Sequence, residues 1–204
     1  MVPTSELILH AFWPRSVANG PGQRAVIWLQ GCTLGCPGCF NTETHSHGSG
    51  ARHDVDALAD RLRSLGNSIE GVTLSGGEPL QQSRGVLALL DRLRSRTQLS
   101  VLMFSGYTLE EIRGLPEGPA IITLTDVLVD GRYAEAQRIA RGLRGSSNQR
   151  IRVLSSRYQL AEIESTPLSE VRIARDGAVR VTGIAPPRLA RSADTGVRST
   201  ALPR

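Results

Sequence analysis

Short apolar runs and amphipathic stretches take turns along the first three quarters of the chain. Residues 25–30, Ala-Val-Ile-Trp-Leu-Gln, are a compact apolar run flanked by Gly22 and Gly31, which predicts a buried strand. Asn19-Gly20-Pro21-Gly22 can continue neither a helix nor a central strand, so this run is entered through a turn. Over residues 54–65, Val55, Leu58, Ala59, Leu62 and Leu65 share one stripe and Gly66 stops it, the signature of a helix. Residues 71–75 predict a second strand, 86–93 the apolar part of a second helix, and 99–104 a third strand. Thr108 and Glu111 have capping-box spacing and open a short helix. Residues 120–129 predict a fourth strand, 133–143 a polar helix and 151–154 a fifth strand.

Strand and helix alternate with short connections, so residues up to 155 predict βα units around a parallel sheet. Five strands are too few for a closed eight-stranded barrel, which leaves an α/β fold with an open or partial (β/α) barrel. Residues 171–184 then alternate apolar and polar about Asp176-Gly177, a β-hairpin signal. That hairpin is expected to close the sheet edge or to carry partner contacts. Residues 185–204, rich in Pro, Arg, Ser and Ala without periodicity, are expected to be a disordered tail. One domain over 1–184, with its core at 16–155, follows.

Composition narrows the setting. No run of about 18 apolar residues occurs, so no membrane span is expected. Residues 1–10 lack the basic head and apolar stretch of a signal peptide. With its cysteines free, the chain is expected in a reducing cytoplasm. The net charge is +5, and all 24 Lys/Arg positions are arginine. The arginines are scattered through the helices and the tail, which reads as compositional bias ahead of the alternative, a surface for an acidic partner such as nucleic acid or a small electron-transfer protein. A nucleic-acid binder would show a basic block with interleaved aromatics, and the chain has none.

The chemistry is concentrated in residues 31–41, Gly-Cys-Thr-Leu-Gly-Cys-Pro-Gly-Cys-Phe-Asn. Cys32, Cys36 and Cys39, the only cysteines, are spaced C-x3-C-x2-C. They cannot pair into disulfides without leaving one over. Three thiolates on a cubane iron–sulfur cluster would leave one iron open for a small molecule. The same three could instead hold zinc, completed by His45 or His47. A second motif, Gly76-Gly77-Glu78-Pro79, directly follows the second predicted strand. Its glycines let a ligand approach the backbone closely, a feature a zinc ribbon has no use for.

These two motifs together resemble the radical S-adenosylmethionine superfamily. Further blocks at 19–22, 28–32, 36–41, 73–80, 105–108, 126–131 and 144–150 are similar to the activating proteins of glycyl-radical enzymes, most of all those serving anaerobic ribonucleotide reductase. The resemblance covers about residues 16–155, and Thr42 departs from the Pro that relatives often carry there. It implies that Cys32, Cys36 and Cys39 ligate a 4Fe-4S cluster and that S-adenosylmethionine chelates the fourth iron. It also implies that Gly76, Gly77 and Glu78 hold the methionine end, that Phe40 and Asn41 line the adenine side, and that the cysteines are the catalytic set. A glycyl-radical enzyme as partner and a flavodoxin- or ferredoxin-type electron donor follow from the same resemblance. A radical enzyme with a peptide or small heterocyclic substrate is the alternative.

Among other polar residues, Asp126 and Asp130 flank an apolar strand and are either ligand contacts or turn aspartates. Asn148 and Arg150 either hold a ligand or form a connection. Tyr107 either faces the site or packs on the short helix. His10 and His53 have no motif around them.

Overall fold

The computed structural model describes residues 5–173 and 177–185. In chain order it contains β1 (Glu6–Ser16), β2 (Arg24–Leu29), β3 (Ala51–Asp54), α1 (Val55–Ser64), β4 (Gly71–Gly76), α2 (Ser83–Arg96), β5 (Ser100–Ser105), α3 (Leu109–Arg113), α4 (Gly118–Thr123), β6 (Val127–Asp130), β7 (Arg138–Arg141), β8 (Arg144–Ser146), β9 (Arg150–Val153), α5 (Leu160–Glu164), β10 (Glu170–Ile173) and β11 (Val179–Thr182). One seven-stranded open sheet has the order β3-β1-β2-β4-β5-β6-β9. Its centre, β2-β4-β5-β6, is parallel; β1 and β9 run antiparallel to it on either side, and β3, antiparallel to β1, again follows the central direction. This is the α/β, partial-barrel class expected. Among the described residues no helix is long and apolar enough to cross a membrane.

Every position of β2 is buried, as befits a parallel strand covered on both faces. One face of the sheet meets α1, α2 and α4 through Ala25, Ile27, Leu29, Val72, Leu74, Val101, Met103 and Leu128. The other face carries Val26, Trp28, Thr73, Leu102 and Phe104 and looks into a cleft or onto a second, smaller core around Leu143 and Ile163. A register shift between Leu9 and Ala11 turns β1 over. Leu7 and Leu9 therefore join the helix-side core, while Trp13 stacks edge-on against Trp28 on the other face, with ring centroids 5.4 Å apart.

Several expectations need correction. Residues 1–15, expected only as a lead, contain most of β1, in which buried Leu7, Leu9, Ala11 and Trp13 alternate with half-buried positions. The fourth strand is shorter than 120–129: Pro119 sits in the first turn of α4, where proline is favoured, and only Val127–Asp130 is strand. Residues 133–143 are not a helix. A short 3₁₀ turn, Glu135–Gln137, leads into a β7–β8 hairpin with Ala140, in an irregularity of β7, and Gly142 and Leu143, in the turn, at positive φ, outside the helical region. The fifth strand returns antiparallel because no crossover helix precedes it. The C-terminal hairpin exists, but β10–β11 forms its own two-stranded sheet and does not extend the large one. Asp176 and the tail at 186–204 lie outside the described residues.

Candidate active site

The two motifs meet because their strands do. In the parallel pairing of β2 with β4, Trp28 faces Ser75 and Leu29 faces Gly76. The chain leaving β2 into the cysteine loop and the chain leaving β4 into Gly-Gly-Glu-Pro are therefore neighbours at the carboxyl end of the sheet, where α/β proteins place ligand sites. The ladder continues past the strands: Gly77 N donates to Leu29 O at 2.8 Å and Glu78 N to Gly31 O at 2.9 Å. This closeness requires glycine. A Cβ on Gly77 would lie 2.3 Å from Gly31 O, and Gly76 adopts φ +101° with Leu29 backbone 2.6 Å from where its Cβ would be.

Cys32, Cys36 and Cys39 are free, half-buried and line one cleft of about 210 Å³. Gly76, Gly77, Glu78, Phe40 and Asn41 line it too, as do Trp28, Phe104, Tyr133, Gln149 and the 181–184 segment. The structure thus brings all eight expected site residues together. Burial pushes the Cys32 thiol above its ordinary value, opposed by the Leu34 backbone N–H, and burial likewise pushes Cys39 up. Among the described residues no three His, Cys, Asp or Glu side chains form a group that could hold a metal ion. The cysteines share the cleft without closing on one point. A cubane cluster offers separate iron corners to its ligands, so its thiolates stand further apart than those around a single ion. Soft thiolates without competing disulfides are the donor chemistry iron–sulfur clusters take.

Other side chains hold this arrangement. Asn41 Nδ2 donates to Gly76 O at 3.2 Å, linking the cysteine loop to the glycine loop. Phe40 packs on Tyr133 with centroids 4.7 Å apart, and the Arg138 guanidinium lies over the Phe40 ring, 4.7 Å from its centroid. Glu78 is almost fully buried and its carboxylate is occupied within the protein. It accepts from Leu80 N, Ser105 Oγ and Gly106 N at 3.0, 2.8 and 2.7 Å. Burial, partly offset by these donors, pushes its pKa up to about 7.

Sequence reasoning missed two positioning residues. Gln81 donates to Thr33 Oγ1 and accepts from Thr33 N, fastening the cysteine loop. Gln82 holds Ile8 N and O and also Gln30 O, fastening β1 to β2. Both directly follow Pro79-Leu80, and only their place beside the motif hinted at a role. His10 bonds Gln30 Oε1 at 2.9 Å, and Gln30 in turn holds Glu43 O and Ser46 O. His45 lines the cleft, while His47 is exposed. Asp126 and Asp130 are structural: Asp126 pairs with Arg94 and caps Val101 N, and Asp130 pairs with Arg152 and accepts from Leu109 N. Asn148 bonds Arg132 O, and Arg150 is exposed.

Residues 18–152 match the 4Fe-4S single cluster domain family. The anaerobic ribonucleoside-triphosphate reductase-activating protein of Vibrio cholerae is 35% identical over 148 residues, 69% of this chain and 94% of its own. The chain belongs to the family of these activating proteins. Its Escherichia coli K12 relative of the same name is 32% identical over 147 residues, with the same coverage, and that of Enterobacteria phage T4 is 31% identical over 143 residues, covering 68% and 89%. The crystal structure of QueE from Escherichia coli overlaps 50% of this chain and 53% of its own at 18% identity, with a TM-score of 0.44. The family match spans the cysteine loop, the glycine loop and β2 to β9, and ends before α5 and the C-terminal hairpin.

Proposed function

We propose that this chain is a radical S-adenosylmethionine enzyme that installs a glycyl radical on a partner, anaerobic ribonucleotide reductase. The observation that carries this reading is the β2–β4 register, which sets the three cysteines and Gly76-Gly77-Glu78 around one cleft. Cys32, Cys36 and Cys39 would each bind one iron of a 4Fe-4S cluster. The chemistry such a cluster would supply, once bound and reduced, is one electron for cleavage of the sulfonium bond of S-adenosylmethionine, which would give methionine and a 5′-deoxyadenosyl radical able to take hydrogen from a glycine.

The chain's own residues bind, orient and exclude water. The backbone of Gly76 and Gly77 would hold the methionine end. Glu78 would act by shaping that loop, since its carboxylate is already used by Leu80, Ser105 and Gly106. Asn41 fixes the Gly76 carbonyl, and it would line the nucleoside side together with Phe40. Trp28, Phe104 and Leu143 give the cleft apolar walls, which shield a reactive radical from side reactions. The electron would come from a flavodoxin- or ferredoxin-type protein in a reducing cytoplasm, where the thiols stay free.

The test is anaerobic. The reconstituted, reduced chain is incubated with S-adenosylmethionine and anaerobic ribonucleotide reductase and followed by electron paramagnetic resonance. A glycyl-radical signal on the reductase is expected. Production of 5′-deoxyadenosine with no radical on the reductase would remove the partner while keeping the chemistry.

A further inference from the structure

The C-terminal hairpin lies beyond the family match, and 94% of the Vibrio cholerae relative but only 69% of this chain falls within their alignment. Yet the hairpin reaches the cleft, where Val181, Thr182, Gly183 and Ile184 form part of the wall. Glu170 and Thr182 are cross-strand partners in β10–β11, and this single pair brackets the side chain of Asn19. Ser16 Oγ donates to Glu170 Oε2 at 2.7 Å. An ionised carboxylate only accepts, so the Ser16 oxygen is left to accept from Asn19 Nδ2, at 2.8 Å. The same amide nitrogen donates to Thr182 Oγ1 at 3.1 Å. Glu170 is held in turn by Val17 N at 2.9 Å.

These contacts decide which way the Asn19 amide points. Both N–H groups are spent on Ser16 and Thr182. Asn19 lines the cleft, and among the described residues no donor reaches its Oδ1. What Asn19 offers a ligand is therefore an acceptor.

We propose that the hairpin completes the S-adenosylmethionine site by locking Asn19 so that its Oδ1 accepts a hydrogen bond from the nucleoside half of that molecule. This rests on the radical reading above. There the amino group of the methionine half goes to iron, which leaves the ribose hydroxyls and the adenine amine as donors. Thr182 and Glu170 are positioning residues, since they act through Asn19.

Equilibrium dialysis of the full-length, anaerobically reconstituted chain tests this with three probes: S-adenosylmethionine, 5′-deoxyadenosine and methionine. Thr182→Val should weaken S-adenosylmethionine and 5′-deoxyadenosine about three- to tenfold, the scale of one hydrogen bond, and leave methionine unchanged. Thr182→Ser should restore both. Glu170→Gln should weaken the same two probes, and serves if Thr182→Val does not fold. Ile173→Ser, at a position 74% exposed in β10, should change nothing. Wild-type affinity for 5′-deoxyadenosine in Thr182→Val and Glu170→Gln, or an equal loss for methionine, would overturn the proposal. A wild-type chain that binds no S-adenosylmethionine would instead bring down the radical reading, and this inference with it.

Discussion

The two faces of the central sheet are built on different principles. The helix-covered face is leucine against leucine: Leu29, Leu74, Leu89, Leu90 and Leu93 are fully buried and contribute shape without hydrogen bonds. The other face sets a buried polar network among its apolar side chains, Val26, Trp28 and Leu102. Arg24 is fully buried there, and its guanidinium donates to Thr73 Oγ1, Ser100 Oγ, Tyr158 OH and the carbonyls of Pro21, Val72 and Ser100. Burial lowers its pKa from the ordinary arginine value, opposed chiefly by Tyr158. Apolar burial is non-directional and tolerates swaps of similar volume. A buried polar network holds one geometry and loses heavily when a member is removed. The face that must place a ligand is the one built from directional contacts.

The sharpest way to break this contrast is to put the same residue on both faces. Arg24→Met should destabilise the chain by at least about 3 kcal/mol, because several buried acceptors lose their donor at once. Leu89→Met on the opposite face should cost less than about 1.5 kcal/mol. Denaturant unfolding measures both, and equal losses would erase the distinction.

The contrast also has a pH dependence. Burial raises the folded-state pKa of Glu78 from 4.5 to about 7, so between those values the folded chain keeps a proton that the unfolded chain has released. The stabilisation is fully present below about pH 4.5 and is lost as the pH rises to about 7, a change on the order of 3 kcal/mol. Glu78→Gln should flatten that slope in the cluster-free chain, as read from unfolding midpoints across this range. An unchanged slope would mean that Glu78 ionises in the fold as freely as it does unfolded.

How much of this was legible in the sequence follows the same division. Runs such as Val26–Leu29 and the stripe Val55, Leu58, Ala59 and Leu62 gave β2, β4, β5 and the helix-side core, since apolar periodicity is a local signal. With β2 and β4 in place, the meeting of the cysteine and Gly-Gly-Glu-Pro loops followed. β1 was missed because its bulge splits the buried positions between two faces, Leu7 and Leu9 on the helix side and Ala11 and Trp13 on the cleft side. The run at 120–129 misled because Ile121 and Ile122 suit a buried helix as well as a strand. The polar contacts were the least legible. The grip of Gln81 on Thr33, of Arg24 on Ser100 and of Thr182 on Asn19 joins residues far apart in the chain, and nothing local announces them.

The central claim is that the cleft is a cluster site built by three cysteines. It is tested most directly by anaerobic reconstitution of the wild type and of Cys32→Ala, Cys36→Ala and Cys39→Ala, with iron content and 5′-deoxyadenosine measured after reduction and addition of S-adenosylmethionine. The account predicts a brown, four-iron wild type that forms 5′-deoxyadenosine and three variants with none, because each lost thiolate uncouples one iron. Full turnover by any single variant, or a colourless wild type holding one zinc, would contradict it.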